Sequence, residues 1–377
     1  MQRTVPPAPA TPSRVRPGLA LALLAAGLAA ADARSALGAG EPEPLWAYGY
    51  ATPPGPADPA PPETVPPTSR TPRDGEPAES QTRLRHVPGS LAAFSELDIR
   101  DGGRVVDWFP GDHPPMGRVL ERGPARLGEH SWGCAYCHLP TGKGRPENAP
   151  VVGQPVAYFM RQLADFRAGA RTSADPRKPN TRLMAGLSRL MTDAEMREAA
   201  EYFGAMKWTP WTRVVETDRV PRTRIEGNLF RAVERERIEP IAGRIIEVPE
   251  DPEQSEGLRN PRSGFIAYVP KGSVRRGEFL VTTGGATIEG GKAVPGKTLA
   301  CAACHGPDLM GLLDVPGIAG RSPSYLVRQL YDLQQGTRRG ASAAPMLPVV
   351  ARLTGDDLVD IAAYVTSRSA PVATQAP

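Results

Sequence analysis

The feature that most constrains this chain is a repeat headed, in each copy, by a cysteine signature. CAYCH stands at Cys134 to His138, and CAACH stands 167 residues later at Cys301 to His305. The two stretches hold all four cysteines and two of the five histidines. The likeness continues downstream. GQPVAYFMRQLADFRAGAR, Gly153 to Arg171, matches GRSPSYLVRQLYDLQQGTR, Gly320 to Arg338, at the same offset, pairing Tyr158 with Tyr325, Gln162 with Gln329 and Gly169 with Gly336. Apolar residues recur there at helical spacing (Tyr158, Leu163, Phe166; Tyr325, Leu330, Leu333), and each copy ends on a glycine suited to a C-cap. The alignment then resumes at an offset of 162, with MAGLSRLMTDAEMREAAEYF, Met184 to Phe203, against MLPVVARLTGDDLVDIAAYV, Met346 to Val365. Thr192 before Asp193 and Glu195, and Thr354 before Asp356 and Asp357, predict an N-cap and an acidic first turn. Such a duplication implies two similar small helical domains.

The opening residues bear on how the cysteines are read. Arg14 and Arg16 precede an apolar run from Leu19 to Ala31, too short to span a bilayer comfortably, and Ala31 and Ala33 offer an A-x-A cleavage site. This predicts export with cleavage near Ala33; an uncleaved anchor is the alternative. In an exported chain four cysteines default to two disulfides. Here each C-x-x-C is followed at once by His, the spacing of covalent c-type haem attachment. Two thioethers tether the porphyrin edge, and the adjacent His138 or His305 is thereby placed under the iron. A redox dithiol explains one such motif, and a metal site explains the two pairs together. Recurrence of the motif in similar surroundings favours two covalently attached haem c groups. Each distal face then needs a ligand, and Met184 and Met346 face each other in the alignment, just before the terminal helix, 46 and 41 residues after the histidines. A thioether there binds iron, raises its potential and keeps small ligands out. The simpler use of such a Met is to fill the core, and that is the reading for nearby Met191, which aligns with Leu353.

Composition agrees with large cofactors inside. The chain has 43 prolines, 39 glycines and only 6% aromatic residues, so a flat apolar group in each domain would supply missing core volume. The 45 basic and 41 acidic residues are interleaved for a net +4, which offers no nucleic-acid face, and no glycine-rich loop marks a nucleotide cofactor.

With CAYCH, CAACH, the paired Y-x-x-x-Q helices and the late Met before an acidic-capped helix, the chain resembles a dihaem class I cytochrome c, similar in layout to the cytochrome c4 group. The resemblance covers Asp107 to Lys207 and Lys297 to Ser367. It implies a mainly α fold of two cytochrome c-like helical haem domains, with Cys134, Cys137, His138 and Met184 serving one haem and Cys301, Cys304, His305 and Met346 the other. His and Met would be the axial pair on each iron. It also implies a proline carbonyl that steadies each proximal imidazole, with Pro316 a match in the second copy and Pro150 the nearest residue in the first.

Departures from that pattern lie outside the haem folds. The expected organisation is a signal peptide (1–33), a Pro-rich extended arm (34–90), a first cytochrome domain (91–208), a β-containing connecting region (209–296), a second cytochrome domain (297–370) and a flexible tail (371–377). Within the arm, LWAYGY (Leu45 to Tyr50) is aromatic and reads as a segment docked across the folded body, or else as an exposed partner-binding element. The connecting region is an irregular insert in which GRIIEVP, SGFIAYVP and EFLVTTG read as short β segments. They would form a small subdomain clamping the haem domains, or a partner surface. His86 and His130 read as ordinary polar residues. His113, held extended before Pro114 and Pro115, reads as structural or as a propionate partner, with displacement of Met184 the alternative; Met116 is a weaker rival ligand.

A distal Met for each iron favours a carrier of single electrons in the periplasm of a Gram-negative bacterium over an enzyme, with redox proteins of unknown identity as donor and acceptor. Two alternatives stay open. One is a dihaem peroxidase-like enzyme with an openable haem. The other is a cytochrome subunit wiring a larger respiratory or dehydrogenase complex, associated with the membrane through a partner.

Overall fold

The computed structural model describes residues 43–55, 58, 64–68, 77–129 and 131–368. The expected signal peptide, His130, parts of the expected Pro-rich arm and the tail from 369 onward lie outside the described residues. The described chain is mainly helical, with small β-sheets set between the two repeat copies in sequence. In the first copy the attachment helix Cys134–His138 is followed by Val156–Arg167, Pro179–Leu190 and Asp193–Ala205. In the second, Ala302–His305 is followed by Pro323–Gln334, a tight turn of helix Ala341–Met346, Leu347–Val350 and Gly355–Ser367.

Local chemistry sets these boundaries. Thr192 Oγ1 accepts the Glu195 N–H at 3.2 Å while the Glu195 carboxylate accepts the Thr192 N–H at 2.7 Å. Thr354 and Asp357 repeat the exchange at 3.2 and 2.8 Å. Each is a reciprocal cap that satisfies two orphan donors at a helix start. At the other end of the longer paired helices, Gly169 and Gly336 take left-handed φ values of 69° and 65°, which stop the helix where the sequence predicts.

The copies meet through reciprocal contacts. Arg171 donates to Tyr325 and Gln329 (3.2 and 2.6 Å), and its equivalent Arg338 donates to Tyr158 and Gln162 (2.9 and 3.0 Å). Thr172 N–H donates to Thr337 O and Arg339 N–H to Ala170 O, both at 2.8 Å. Gln154 donates to the Gly317 carbonyl at 3.0 Å, and Arg321 returns the contact to the Pro150 carbonyl at 3.3 Å. In every case a residue contacts the repeat equivalent of the residue that its own equivalent contacts. The copies are therefore related by a local two-fold axis, and the interface is self-complementary as in a symmetric dimer.

The region between the copies is more regular than expected. Thr212–Glu216, Phe265–Val269 and Ile246–Pro249 form a three-stranded sheet with Phe265–Val269 in the middle, parallel to the first strand and antiparallel to the last. GRIIEVP and SGFIAYVP thus carry strands. EFLVTTG does not: it lies in the helix Ser273–Thr283. Its β-branched residues favour a strand, but Val274, Leu280 and Val281 fall on one helical face and join the core of the second copy. Gly277 on that helix approaches Gly355–Ser367 so closely that a Cβ would lie 1.9 Å from the Asp360 carbonyl oxygen. Tertiary packing has overridden propensity there. Sequence reading also missed the hairpin Arg219–Glu226/Leu229–Pro240, whose two-residue turn, Gly227–Asn228, has positive φ at both positions.

LWAYGY docks. Leu45–Tyr48 is one helical turn rather than extended chain, and Tyr48, 1% exposed, donates its hydroxyl to Asp332 Oδ1 at 2.7 Å. Burying such a ring stabilises by about 1.5–3 kcal/mol, which offsets part of the cost of ordering the segment. The following Gly49 (φ 86°) lies against the hairpin turn, where a Cβ would meet Asn228 Cα at 2.6 Å. Arm, hairpin and second copy therefore share one packed region.

Candidate functional site

The two histidines of the repeat are held identically. His138 Nδ1 lies 2.8 Å from the Ala149 carbonyl, and His305 Nδ1 lies 2.8 Å from the Pro316 carbonyl. A carbonyl only accepts, so Nδ1 carries the proton and Nε2 keeps its lone pair free for a ligand bond. Burial pushes the pKa of both rings below the ordinary histidine value, against the raising effect of those hydrogen bonds. Both rings are thus poised neutral, the form that binds metal. The expected carbonyl of Pro316 is in place. In the first copy the acceptor belongs to Ala149, not Pro150, because the geometry requires a carbonyl eleven residues after the histidine and not a proline.

Around His138 the chain forms a trough with two characters. One part is apolar, walled by Cys134, Cys137, Phe159, Leu163, Met184 and Phe203. The adjoining part shares His138, Phe159 and Met184 but is the more polar of the two, with Gln162, Arg171, Lys178, Arg328 and Asp332 in its wall. Two of those residues come from the second copy, so the first site is completed across the two-fold interface. This division fits a flat ring tethered by one edge to the cysteines, with acidic substituents at its far edge. His138 would hold it from one side, with Met184 in the same trough; Cys134 and Cys137 would anchor it. Burial pushes the Cys134 thiol up to about 12 and raises Cys137, so the pair is no reactive dithiolate.

In the second copy Cys301, Met310 and Met346 pack against the core that contains Leu326, Val327 and Tyr364. Burial likewise raises the Cys301 thiol, to about 11. The surroundings differ from those of the first copy. Cys304 is exposed, and Leu299, Leu312 and Leu313 beside this motif stand open. CAYCH is instead covered: the Arg259 guanidinium of the insert lies 3.9 Å over the Tyr136 ring and donates to the Tyr136 carbonyl, and Trp132 donates to the Pro66 carbonyl of the arm at 2.6 Å.

The remaining candidates separate cleanly. His113 lines neither part of the trough; its ring nitrogens meet Pro114 O at 2.9 Å and Asp107 Oδ1 at 3.2 Å. Burial opposes its charge, but the two acceptors outweigh burial and raise its pKa. Met116 packs on the core of the first copy without reaching the trough, while Met191 is 6% exposed in that core and borders the apolar part. His86 is exposed. Sequence reading passed over Arg171 and Arg338, although their matching places in the repeat were visible. Lys178 gave no signal at all.

Comparison with known proteins places these features. No family model matches the chain. Cytochrome c-554(548) of Halomonas halodenitrificans is 41% identical over 69 residues, 18% of this chain and 83% of that protein. Cytochrome c4 of Pseudomonas aeruginosa is 23% identical over 236 residues, 62% of this chain and 82% of that protein. A thiosulfate dehydrogenase electron acceptor of Thiomonas intermedia is 23% identical over 272 residues, 67% of this chain and 92% of that protein. With the paired histidine sites, these likenesses define the class as c-type cytochromes of electron transfer. The chain belongs to the dihaem, cytochrome c4-like family.

Proposed function

We propose that this protein is a periplasmic carrier of single electrons, not an enzyme, with one haem c covalently attached in each of two cytochrome c-like domains. Cys134 and Cys137, and Cys301 and Cys304, would form the thioethers. His138 with Met184, and His305 with Met346, would be the axial pairs. The observation that carries the reading is the identical anchoring of both histidines through Nδ1 to a main-chain carbonyl at 2.8 Å, which leaves Nε2 free in each copy. When bound, each haem would supply an iron that gains and loses one electron without bond chemistry. The chain fixes the tautomer and orientation of each imidazole, walls the first trough with Phe159, Leu163 and Phe203, and presents Met184 to the same space. The methionine in the first trough supports a carrier against the peroxidase-like alternative, which needs an open iron with an acid–base group over it.

The name of the Thiomonas relative, an electron acceptor of thiosulfate dehydrogenase, favours a dehydrogenase as the electron donor here. The open surroundings of Cys304 support the second copy as the side where a partner docks. Intact-mass analysis of the acid-denatured protein tests the attachment. Two retained haem masses, each lost only when its own cysteine pair is replaced by serine, are expected. Release of haem by acid, or retention of a single group, would overturn the reading. Steady-state peroxide consumption by the half-reduced protein would overturn the carrier.

A further inference from the structure

The two copies differ by five residues between the C-capping glycine and the late methionine: Gly169 to Met184 against Gly336 to Met346. That longer stretch carries Asp175, Arg177 and Lys178, which are 4%, 9% and 2% exposed. Asp175 and Arg177 neutralise each other at 2.7 Å. Lys178 has no such partner. Its Nζ reaches only neutral oxygens, the Tyr48 carbonyl at 3.4 Å and Asn228 Oδ1 at 3.3 Å, and among the described residues it forms no ion pair. Tyr48 belongs to the docked arm and Asn228 to the hairpin turn, so two segments outside the repeat fold over one lysine.

That lysine borders the polar part of the first trough. Arg171 and Arg328 border it too, each donating to neutral oxygens: Gln162, Gln329 and Tyr325 for Arg171, and the carbonyls of Ala47 and Pro146 for Arg328. None of the carboxylates there forms an ion pair with the lysine, although Glu147 keeps one buried oxygen without a hydrogen bond. Glu147 is paired with Arg145 at 2.6 Å, and Asp332 accepts from Tyr48 and from the Ala174 N–H. Burying a charge without a counter-ion costs several kcal/mol, so a chain that encloses an ammonium this completely has an anion for it. Burial, with help from Arg328, pulls the Lys178 pKa well below the ordinary lysine value against the raising effect of Glu147, Asp175 and Asp332, and a carboxylate in direct contact would raise it further.

We propose that Lys178 holds a carboxylate of the porphyrin at the first centre and so raises the reduction potential of that iron, a device the second copy lacks. The proposal rests on the two-haem reading. A porphyrin tethered by its vinyl-derived edge to Cys134 and Cys137 carries its acid side chains on the remaining ring positions, toward the polar part where the lysine stands. An ammonium near the metal favours the ferrous state, because reduction removes one positive charge from its neighbourhood. For a unit charge at about 10 Å in a partly screened interior the effect is about tenfold in the reduction equilibrium.

The test is a potentiometric titration of the full-length holoprotein, wild type against Lys178→Met, with haem content checked by intact mass. Met346→His in both backgrounds marks the second centre by its altered near-infrared spectrum. The expected result is a fall in the first potential equivalent to about tenfold, or about 59 mV for a one-electron couple, with the second unmoved. Asn228→Gly removes a contact of the lysine, keeps the ammonium and suits the left-handed backbone; it should leave both potentials in place. Equal potentials in wild type and Lys178→Met, or a shift confined to the second centre, would overturn the proposal while leaving two haems attached. Should Lys178→Met load haem poorly, its thermal midpoint decides. An ammonium paired with a carboxylate predicts a lower midpoint; a higher one would show that Lys178 lacked an anion and would also overturn the proposal. A protein with fewer than two covalent haems fails the two-haem reading itself, which the mass reports separately.

Discussion

Replacing Gly277 with alanine should destabilise the protein, although helix propensity alone predicts the opposite. In the middle of Ser273–Thr283 an alanine is worth about 1 kcal/mol over glycine. Against this, the new Cβ would lie 1.9 Å from the Asp360 carbonyl oxygen and 2.6 Å from its carbon. Those are backbone atoms of a helix buried along most of its length, so relief requires the two helices to separate. Overpacking of this kind costs about 1–3 kcal/mol and occasionally more, and here it includes lost contacts at Leu280 and Val281. The net expectation is a loss of about 1–2 kcal/mol, or about 1.5–3 °C in thermal midpoint for a cooperative unit of about 300 residues. Gly117→Ala is the matched control. Its Cβ would lie 1.8 Å from Glu198 Oε1, an equal overlap with the flexible end of a side chain that can swing away. That variant should lose less than about 1 kcal/mol. Scanning calorimetry on both holoproteins reads the difference. A Gly277→Ala midpoint at or above wild type, or an equal loss in Gly117→Ala, would refute the argument from backbone contact.

Other outcomes follow from single contacts. Glu247, 1% exposed, accepts from Ser322 Oγ at 2.8 Å and from the Ser324 N–H at 3.3 Å, and burial raises its pKa. A raised pKa means its stabilising contribution is complete below the unfolded value and fades as pH rises through the folded one. Glu247→Gln should therefore gain on wild type as pH rises above the ordinary carboxylate range, by at most about 1.4 kcal/mol for each step of one in pH, in urea titrations at each pH. The raised pKa of His113 gives the same sign: the thermal midpoint of wild type relative to His113→Gln should be highest below the ordinary histidine pKa and fall as pH rises above it. Arg171→Met and Arg338→Met should each lower the midpoint. Both guanidiniums donate to Gln162 Oε1, at 2.9 and 3.0 Å, so the double variant should depart from additivity by about 0.5–3 kcal/mol in a double-mutant cycle.

What the sequence revealed depended on chemistry that is local or repeated. The capping threonines, the glycine stops and the paired helices could be read because their signals sit within a few residues of each other. The two histidines could be read because each directly follows its own C-x-x-C pair. EFLVTTG was misread because the contact that decides its helix, Gly277 against Asp360, is made across 83 residues of sequence. The carbonyl under His138 was assigned to Pro150 by analogy with Pro316, whereas any residue at Ala149 can supply it. Lys178 was invisible for a related reason: its burial is made by Tyr48 and Asn228, one from the arm and one from the insert. A lysine in a polar loop acquires meaning only when distant segments close over it.

Axial ligation is the claim on which the carrier reading turns. Low-temperature EPR with near-infrared magnetic circular dichroism, on the oxidised and the half-reduced holoprotein, reports it directly. Two low-spin His–Met centres that persist through half-reduction are expected, one abolished by Met184→Ala and the other by Met346→Ala. A bis-histidine centre, or a high-spin centre appearing on half-reduction, would contradict that ligation.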